Sequence, residues 1–379
     1  MKGPLKVSEF QAGTWVRQTG YRSFIPNRIN RQWVLDSPET EALLAEANHR
    51  LGELNAFSQL VPDVDFFIAM HKAKEATTSS RIEGTQTGVG DAFLKIEDVS
   101  PELRDDWQEV QNYIRAMNHA IAELEHLPLS NRLIRQTHKL LMEGVRGRHK
   151  LPGEFRRSQN WIGGATIKDA VFIPPPHHEV PDLMGDLESF LHNEDIHVSE
   201  LLRVAIAHYQ FETIHPFLDG NGRVGRLMIT LYLVNKKLLV KPALYLSEFF
   251  EKNRMLYYDN LTTAREKNAL NQWLRFFLVG VVETSKSSIQ SFRDILMMQA
   301  SIEARTATLG RRQANAKRLV QKLYSRPIVN AKEVAEMLEV SAPTANSLLA
   351  GLVRLEILEE TTGYLRNRMF RFREYLDLF

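Results

Sequence analysis

The sequence predicts a mainly α protein in three parts: an N-terminal helical region, an all-helical core interrupted by one small β-hairpin, and a C-terminal winged helix-turn-helix. Three observations carry this expectation. Apolar residues recur at helical spacing through most of the chain before residue 300. One glycine- and proline-rich stretch, 147–181, breaks that pattern. Near residue 300 the composition shifts to a basic run, followed by a helix–turn–helix–hairpin order. The domain limits read as 1–100, 101–298 and 299–379, and 379 residues are enough to give each part a core.

Residues 1 to about 35 read as irregular, because Gly, Pro and Asn break every short apolar run. From Asp36 to Leu60, Leu43, Leu44, Ala47, Leu51 and Leu54 recur at helical spacing. Pro62 punctuates that helix, and Asp63 or Asp65 caps the next, which runs through Phe66, Phe67, Met70 and Ala73 to about Glu83 before the stop residue Gly84. Helices are expected at 102–126 and 130–144, then at 181–194, 199–212, 223–238, 247–266 and 269–295. The intervening loop, with Gly147, Gly153, Gly163, Gly164 and Pro174-Pro175-Pro176, is long enough to suggest a working segment. From Arg305 to Arg326 there are seven basic residues and no acidic one. Helices at 331–338 and 342–355 and a hairpin around Thr362-Gly363 complete the winged-helix order.

Composition narrows the chemistry. A net charge of +2 gives no dominant pull toward polyanions. With no cysteine, disulfides, thiolate zinc sites and thiol nucleophiles are excluded. The opening MKGPLKVSEFQAGTWVRQ lacks the apolar run of a signal peptide, and no stretch approaches the roughly 18 apolar residues of a membrane span. The expected location is cytoplasmic, with no membrane partner.

Gly220, Gly222 and Gly225 satisfy the dinucleotide fingerprint by letter. That fingerprint has physical meaning only after a strand. Here Leu201, Val204, Ala205, Ile206 and Tyr209 have helical spacing, so the Rossmann reading is rejected; a P-loop triplet of glycine, lysine and Ser/Thr is also missing. A glycine-rich loop between helices still makes an anion site, because Gly220 and Gly222 let consecutive N–H groups turn inward above a helix N-terminus. Arg223 and Arg226 sit in that first turn, where cations oppose the helix dipole, and phosphate binding explains their presence. Asp219 among phosphates suggests Mg²⁺. His215 is placed to take a proton from an attacking hydroxyl.

The segment His215-Pro-Phe217-Leu-Asp219-Gly220-Asn221-Gly222-Arg223-Val-Gly-Arg226 resembles the Fic signature H-x-F-x-[DE]-G-N-G-R-x-x-R at every fixed position. The resemblance extends over about residues 63–290, since PGEFRRSQNWIGG (152–164) is similar to the family's loop beside the nucleotide. It implies a Fic-type core and transfer of AMP from ATP to a Ser, Thr or Tyr hydroxyl of a target protein, including the enzyme itself. It further implies His215 as base, Asp219 as Mg²⁺ ligand, and Asn221 with the Gly220–Gly222 backbone around the α- and β-phosphates. Arg223 would support the β-phosphate and Arg226 the γ-phosphate, while Phe217 anchors the loop in the core.

Ser79-Ser80-Arg81-Ile82-Glu83-Gly84 fits [ST]-x-x-x-E-[GN], and Ser79 and Glu83 share one helix face. Glu83 in a last turn and Arg226 in a first turn are opposite misfits with the helix dipole, and an ion pair between them would remove both. The pattern resembles the family's inhibitory helix, which implies that Glu83 occupies Arg226 and excludes the γ-phosphate.

Other assignments are local. Ala165–Ile173 is expected to be a flap that adds a target peptide as a strand, with Ile162, Gly163, Gly164 and Ala165 near the nucleotide. Tyr257 and Tyr258 resemble the family's adenine and ribose contact, though adjacent residues cannot both face one side of a helix. His177, His178, His192 and His197 match no zinc spacing. The C-terminal module admits DNA binding, homodimerisation or target docking; Thr344, Asn346 and Ser347 are its candidates for base contact. Alternative activities of the same site are removal of AMP, transfer of another nucleotide or of phosphate, and nucleotide sensing by a DNA-binding regulator.

Overall fold

The computed structural model describes residues 4–61, 64–144, 147, 149–363 and 368–379. The helix stop expected at Pro62 and the cap expected at Asp63 lie outside the described residues. Two long helices open the main body. Ser37 caps α1 (Pro38–Leu60) by accepting the Thr40 N–H, with Pro38 at the first helical position. After it, α2 (Val64–Ile82) ends at Gly84, whose φ of 111° lies in the left-handed region that glycine adopts freely. Next come α3 (Arg104–Glu123), α4 (Asn131–Leu141, capped by Ser130) and α5 (Val180–His192). The centre is the pair α6 (Glu200–Ile214) and α7 (Asn221–Asn235), packed against each other and joined by the glycine-rich loop. Every residue of α6 from Leu201 to Ile214 is buried, as expected of a helix surrounded by others.

The first 35 residues depart from expectation. They form β1 (Leu5–Lys6), β2 (Gly13–Arg17), β3 (Arg22–Pro26) and β4 (Trp33–Val34), with β1 parallel to β4 and β2 antiparallel to β3. The strands are too short for alternation to be legible, and their order depends on burying Phe10, Phe24 and Trp33 against the helices. The single helix expected over 247–266 is two, α8 (Ser247–Lys252) and α9 (Arg254–Lys267). Asn253 breaks it at φ −113° and ψ 35°, its side chain donating to the Phe249 carbonyl in competition with the backbone.

The helix expected to end at 295 runs on as α10 (Leu270–Ala307), so the domain limit drawn at 298/299 falls inside a continuous helix. Ile302 and Thr306, both buried, carry the extension, and α10 packs along α1 and reaches α11 (Gln313–Leu323). Beyond lie β5 (Ile328–Asn330), α12 (Ala331–Leu338), α13 (Ala342–Arg354), β6 (Glu359–Glu360), β7 (Met369–Arg371) and α14 (Arg373–Leu376). The three strands pair in the order β5–β7–β6, all antiparallel, and an Asn330–Glu333 capping box starts α12. The basic run thus spans the end of α10, a short turn at Gly310–Arg312 and α11. Among the described residues no helix is long and apolar enough to cross a membrane.

Candidate active site

The loop from His215 to Gly220 is held from four directions. His215 ends α6 with φ 49° and ψ 62°, a left-handed conformation that costs a non-glycine residue about 1 kcal/mol or more unless its surroundings impose it. Arg156 and Asn160 impose it: Arg156 Nε donates to the His215 carbonyl at 3.0 Å, and Asn160 Nδ2 donates to the same carbonyl at 3.2 Å and to that of Phe217 at 2.8 Å. Arg156 is fully buried and also donates to the carbonyls of Ser158, Pro175 and Ile214, so one guanidinium ties the loop to the 147–181 segment. Phe217 is buried and stacks on the His138 ring, with centroids 3.8 Å apart. His138 Nδ1 accepts the Gly153 N–H at 2.9 Å, which leaves its proton on Nε2, donated to the Asp219 carbonyl at 3.0 Å. Burial lowers the His138 pKa to about 4, so this neutral tautomer persists at physiological pH.

The Asn221 side chain has a different task from the one its resemblance implies. Its Oδ1 accepts the Phe217 N–H at 2.8 Å and its Nδ2 donates to the Phe217 carbonyl at 2.9 Å, so both ends of the amide brace the loop. What remains for an anion here is backbone: the first turn of α7, entered through Gly220 at φ 75°. A Cβ at Gly220 would lie 2.8 Å from Met142 Sδ, and one at Gly222 would run into Glu83 Oε1 and Arg226. The glycines therefore let neighbouring groups close on the loop backbone.

Beside this turn opens a cavity of about 410 Å³, within the usual range for small-molecule sites, lined by Glu83, Glu109, Met142, Asp219 and Arg223 among others. Arg223 is nearly buried and pairs with Glu109 at 2.8 Å. Asp219 is half-exposed, with Oδ1 accepting the Gly220 N–H at 2.6 Å. Arg226 does not line the cavity. It is fully buried, with Nε donating to Ser79 Oγ at 2.9 Å and Nη2 donating to the Ser79 carbonyl at 2.8 Å and to Glu83 Oε1 at 2.7 Å. The two residues singled out on α2 and just beyond it thus meet the arginine singled out on α7. Burial works against both charges, yet Arg226 holds the Glu83 carboxyl below its ordinary range and Glu83 raises Arg226 above its own.

His215 is mostly buried. Burial, followed by the nearby Arg156 charge, lowers its pKa to about 4, so the ring is neutral and able to accept a proton at pH 7. Tyr257 belongs to the core: it is buried, stacks on Phe250 and shares a hydrogen bond with His208. Tyr258 is exposed beside it. Of this pair only Tyr258 reaches the surface. Ile162 to Ala165 begin two residues after Asn160, within the segment that braces the loop. The expected flap hairpin is reduced to one bridge, Ile162 to Phe172, closing over a short turn at Ile167–Asp169. Gly163 and Gly164, at φ 70° and 75°, turn the chain too sharply for a longer ladder. The far side of the segment is engaged as well, since Phe24 of β3 donates its N–H to the Ile173 carbonyl.

The patterns of the Fic/DOC family N-terminal region and of the Fic/DOC family match residues 41–122 and 128–233. The chain carries a Fic/DOC N-terminal region and a Fic/DOC domain. It is 35% identical over 126 residues to a protein adenylyltransferase Fic of Aedes aegypti, covering 33% of this chain and 22% of that one. It is 40% identical over 89 residues to a probable protein adenylyltransferase of Aquifex aeolicus, covering 24% and 26%. The chain thus spans about a quarter of the length of these curated relatives. A Fic family protein of Desulfovibrio desulfuricans shares the fold with a TM-score of 0.55 at 22% identity, over 89% of this chain and 96% of that one.

Sequence reasoning missed His138, Arg156, Asn160 and Glu109. Each acts across a long stretch of chain, and no local spacing marks them. Arg156 and Asn160 lie in PGEFRRSQNWIGG, which the resemblance did flag as a segment. In the C-terminal module, Thr344 bonds Ser341, Asn346 donates to the Ala342 carbonyl, and Ser347 accepts from Arg312. All three candidates for base contact are engaged within the module.

Proposed function

We propose that the chain transfers AMP from ATP to a hydroxyl of a protein, and that Glu83 holds this activity in check. The observation that carries the reading is the Glu83–Arg226 contact at 2.7 Å, with the carboxylate lying over Gly222 at the start of α7. A carboxylate placed against a buried arginine at a helix N-terminus stands where a phosphate oxygen would bind. The support for adenylyl transfer is the Fic/DOC domain, the names of the chain's relatives, and a neutral imidazole beside that anion site.

In this reading the target's Ser, Thr or Tyr oxygen attacks the α-phosphorus, the bond to the bridging oxygen breaks, pyrophosphate leaves, and His215 receives the hydroxyl proton. The first turn of α7 and Arg223 hold the phosphates, and Arg226 takes the γ-phosphate once Glu83 withdraws. Asp219 suits Mg²⁺, which keeps most of its waters and takes one carboxylate together with substrate phosphates; among the described residues no cluster of three carboxylates or histidines competes with it. Bound there, Mg²⁺ would neutralise phosphate charge. The C-terminal module we read as a winged helix that docks the target or a second copy of the chain, because its candidate base contacts are already engaged.

The test uses the full chain carrying Glu83→Gly, with ATP labelled at either the α- or the γ-phosphate. Label entering protein from the α position supports the proposal. Label entering only from the γ position refutes adenylylation.

A further inference from the structure

Glu212 has no part in the scheme above, yet it lies one turn before His215 on α6 and is buried. Its Oε2 is 3.9 Å from His215 Nδ1. Both Glu212 Oε1 and His215 Nδ1 are shielded from solvent and have no hydrogen-bond partner among the described residues. The carboxyl approaches Nδ1 through Oε2, and buried polar atoms without a partner are costly unless the two groups come to share a proton. The opposite wall is cut to fit: a Cβ on Gly225 would run into Glu212 Oε1, so the glycine at that position leaves room for this carboxylate.

With Nδ1 buried against Glu212, Nε2 is the ring nitrogen left for a substrate. A base working through Nε2 must carry its proton on Nδ1, and a carboxylate at Nδ1 selects that tautomer. We propose that Glu212 is the positioning residue for His215, holding the Nδ1–H tautomer and stabilising the imidazolium formed when Nε2 takes the hydroxyl proton. Rotation of the carboxylate, or one bridging water, closes the gap. No atoms are gained or lost: the proton on Nδ1 stays, and the incoming proton resides on Nε2 until it passes to solvent.

The groups facing this pair are Arg226 from α7, Arg265 and Tyr257 from α9, Arg156 from the bracing segment, and Glu83 beyond α2. Burial raises the Glu212 carboxyl to about 7 against the pull of Arg226 and Arg265. When protonated, it would donate to Nδ1 and force the wrong tautomer. Activity should therefore rise with pH through about 7 as the carboxylate forms.

The inference rests on His215 being the general base, and one of its tests needs no turnover. In the full chain carrying Glu83→Gly and ¹⁵N-labelled histidine, the His215 signals are identified by their loss in His215→Ala. The expected result is a protonated Nδ1 and a bare Nε2, changing toward the other tautomer in Glu212→Gln and in the apolar Glu212→Leu. Glu212→Leu removes a buried carboxyl and keeps the volume, so folding should survive. In AMP incorporation both variants should lose on the order of 10²-fold in kcat, keep KM for ATP within about twofold, and lose the rise near pH 7. A His215 tautomer unchanged in both variants overturns the proposal, as does a retained pH rise. If the Glu83→Gly parent incorporates no AMP at all, the functional reading fails while the nitrogen shifts still decide the role of Glu212.

Discussion

Replacing Glu83 with glycine removes the carboxylate from Arg226 and leaves that arginine, among the described residues, the Ser79 hydroxyl and carbonyl as hydrogen-bond partners. A hydrogen bond to a charged group contributes about 1.5–3 kcal/mol. The Glu83 side chain is 36% exposed, so solvent screening reduces the contribution of this pair to roughly 1–2 kcal/mol. A phosphate must displace the carboxylate at that cost, so the variant should bind or use ATP about fivefold to thirtyfold better. Calorimetric titration with ATP and magnesium measures the affinity, and label incorporation measures the rate. The pH range of the restraint follows from the lowered Glu83 pKa. The pair's stabilisation is complete above the ordinary carboxylate value of 4.5 and is lost as pH falls through the lower folded value. Wild type should therefore stay restrained from about pH 5 upward, and the advantage of the variant should not shrink at neutral pH. Unchanged ATP affinity together with an unchanged rate in Glu83→Gly would refute the reasoning, because Arg226 would then not be the contested group.

Other outcomes follow from the same geometry. His215→Ala in the Glu83→Gly background should lower incorporation by about 10²–10⁴-fold while ATP affinity stays near that of the parent, read by the same titration. Arg156→Ala strips one donor group from the carbonyls of Ser158, Pro175, Ile214 and His215 and should destabilise the chain by about 3 kcal/mol or more, read as a lowered denaturant midpoint. His71, His138, His208 and His215 all have folded pKa values lowered by burial, so the stability they contribute is complete above about 6.5 and falls as pH drops toward 4. Glu75 and Glu212 act in the opposite sense, since burial raises both to about 7; their contribution is complete below 4.5 and is lost as pH rises through 7. Four histidines outweigh two carboxyls, so the melting temperature should climb between pH 4.5 and 6.5. A flat melting profile over that window would contradict the burial of these rings.

Much of this molecule is legible along the chain because its information is local. Helical spacing identified α1 to α7, since each depends on side chains three and four residues apart lining one face. The run from His215 to Arg226 could be read as an anion site with a base because a turn, its glycines and the helix it starts are consecutive residues. Even the complementary misfits of Glu83 and Arg226 were visible as charges on the wrong ends of their helices.

What required the folded chain was every pairing between distant segments. Glu83 and Arg226 are 143 residues apart, and only the way α2 crosses α7 brings them to 2.7 Å. The same holds for His138 beneath Phe217, Arg156 behind His215, and Gly225 making room for Glu212. The short strands before residue 35 and the full length of α10 were decided likewise by the surfaces they cover. Periodicity specifies which face of a helix is apolar, but the partner met by a polar atom on that face depends on the angle at which two helices pack, and that angle is set by the whole core.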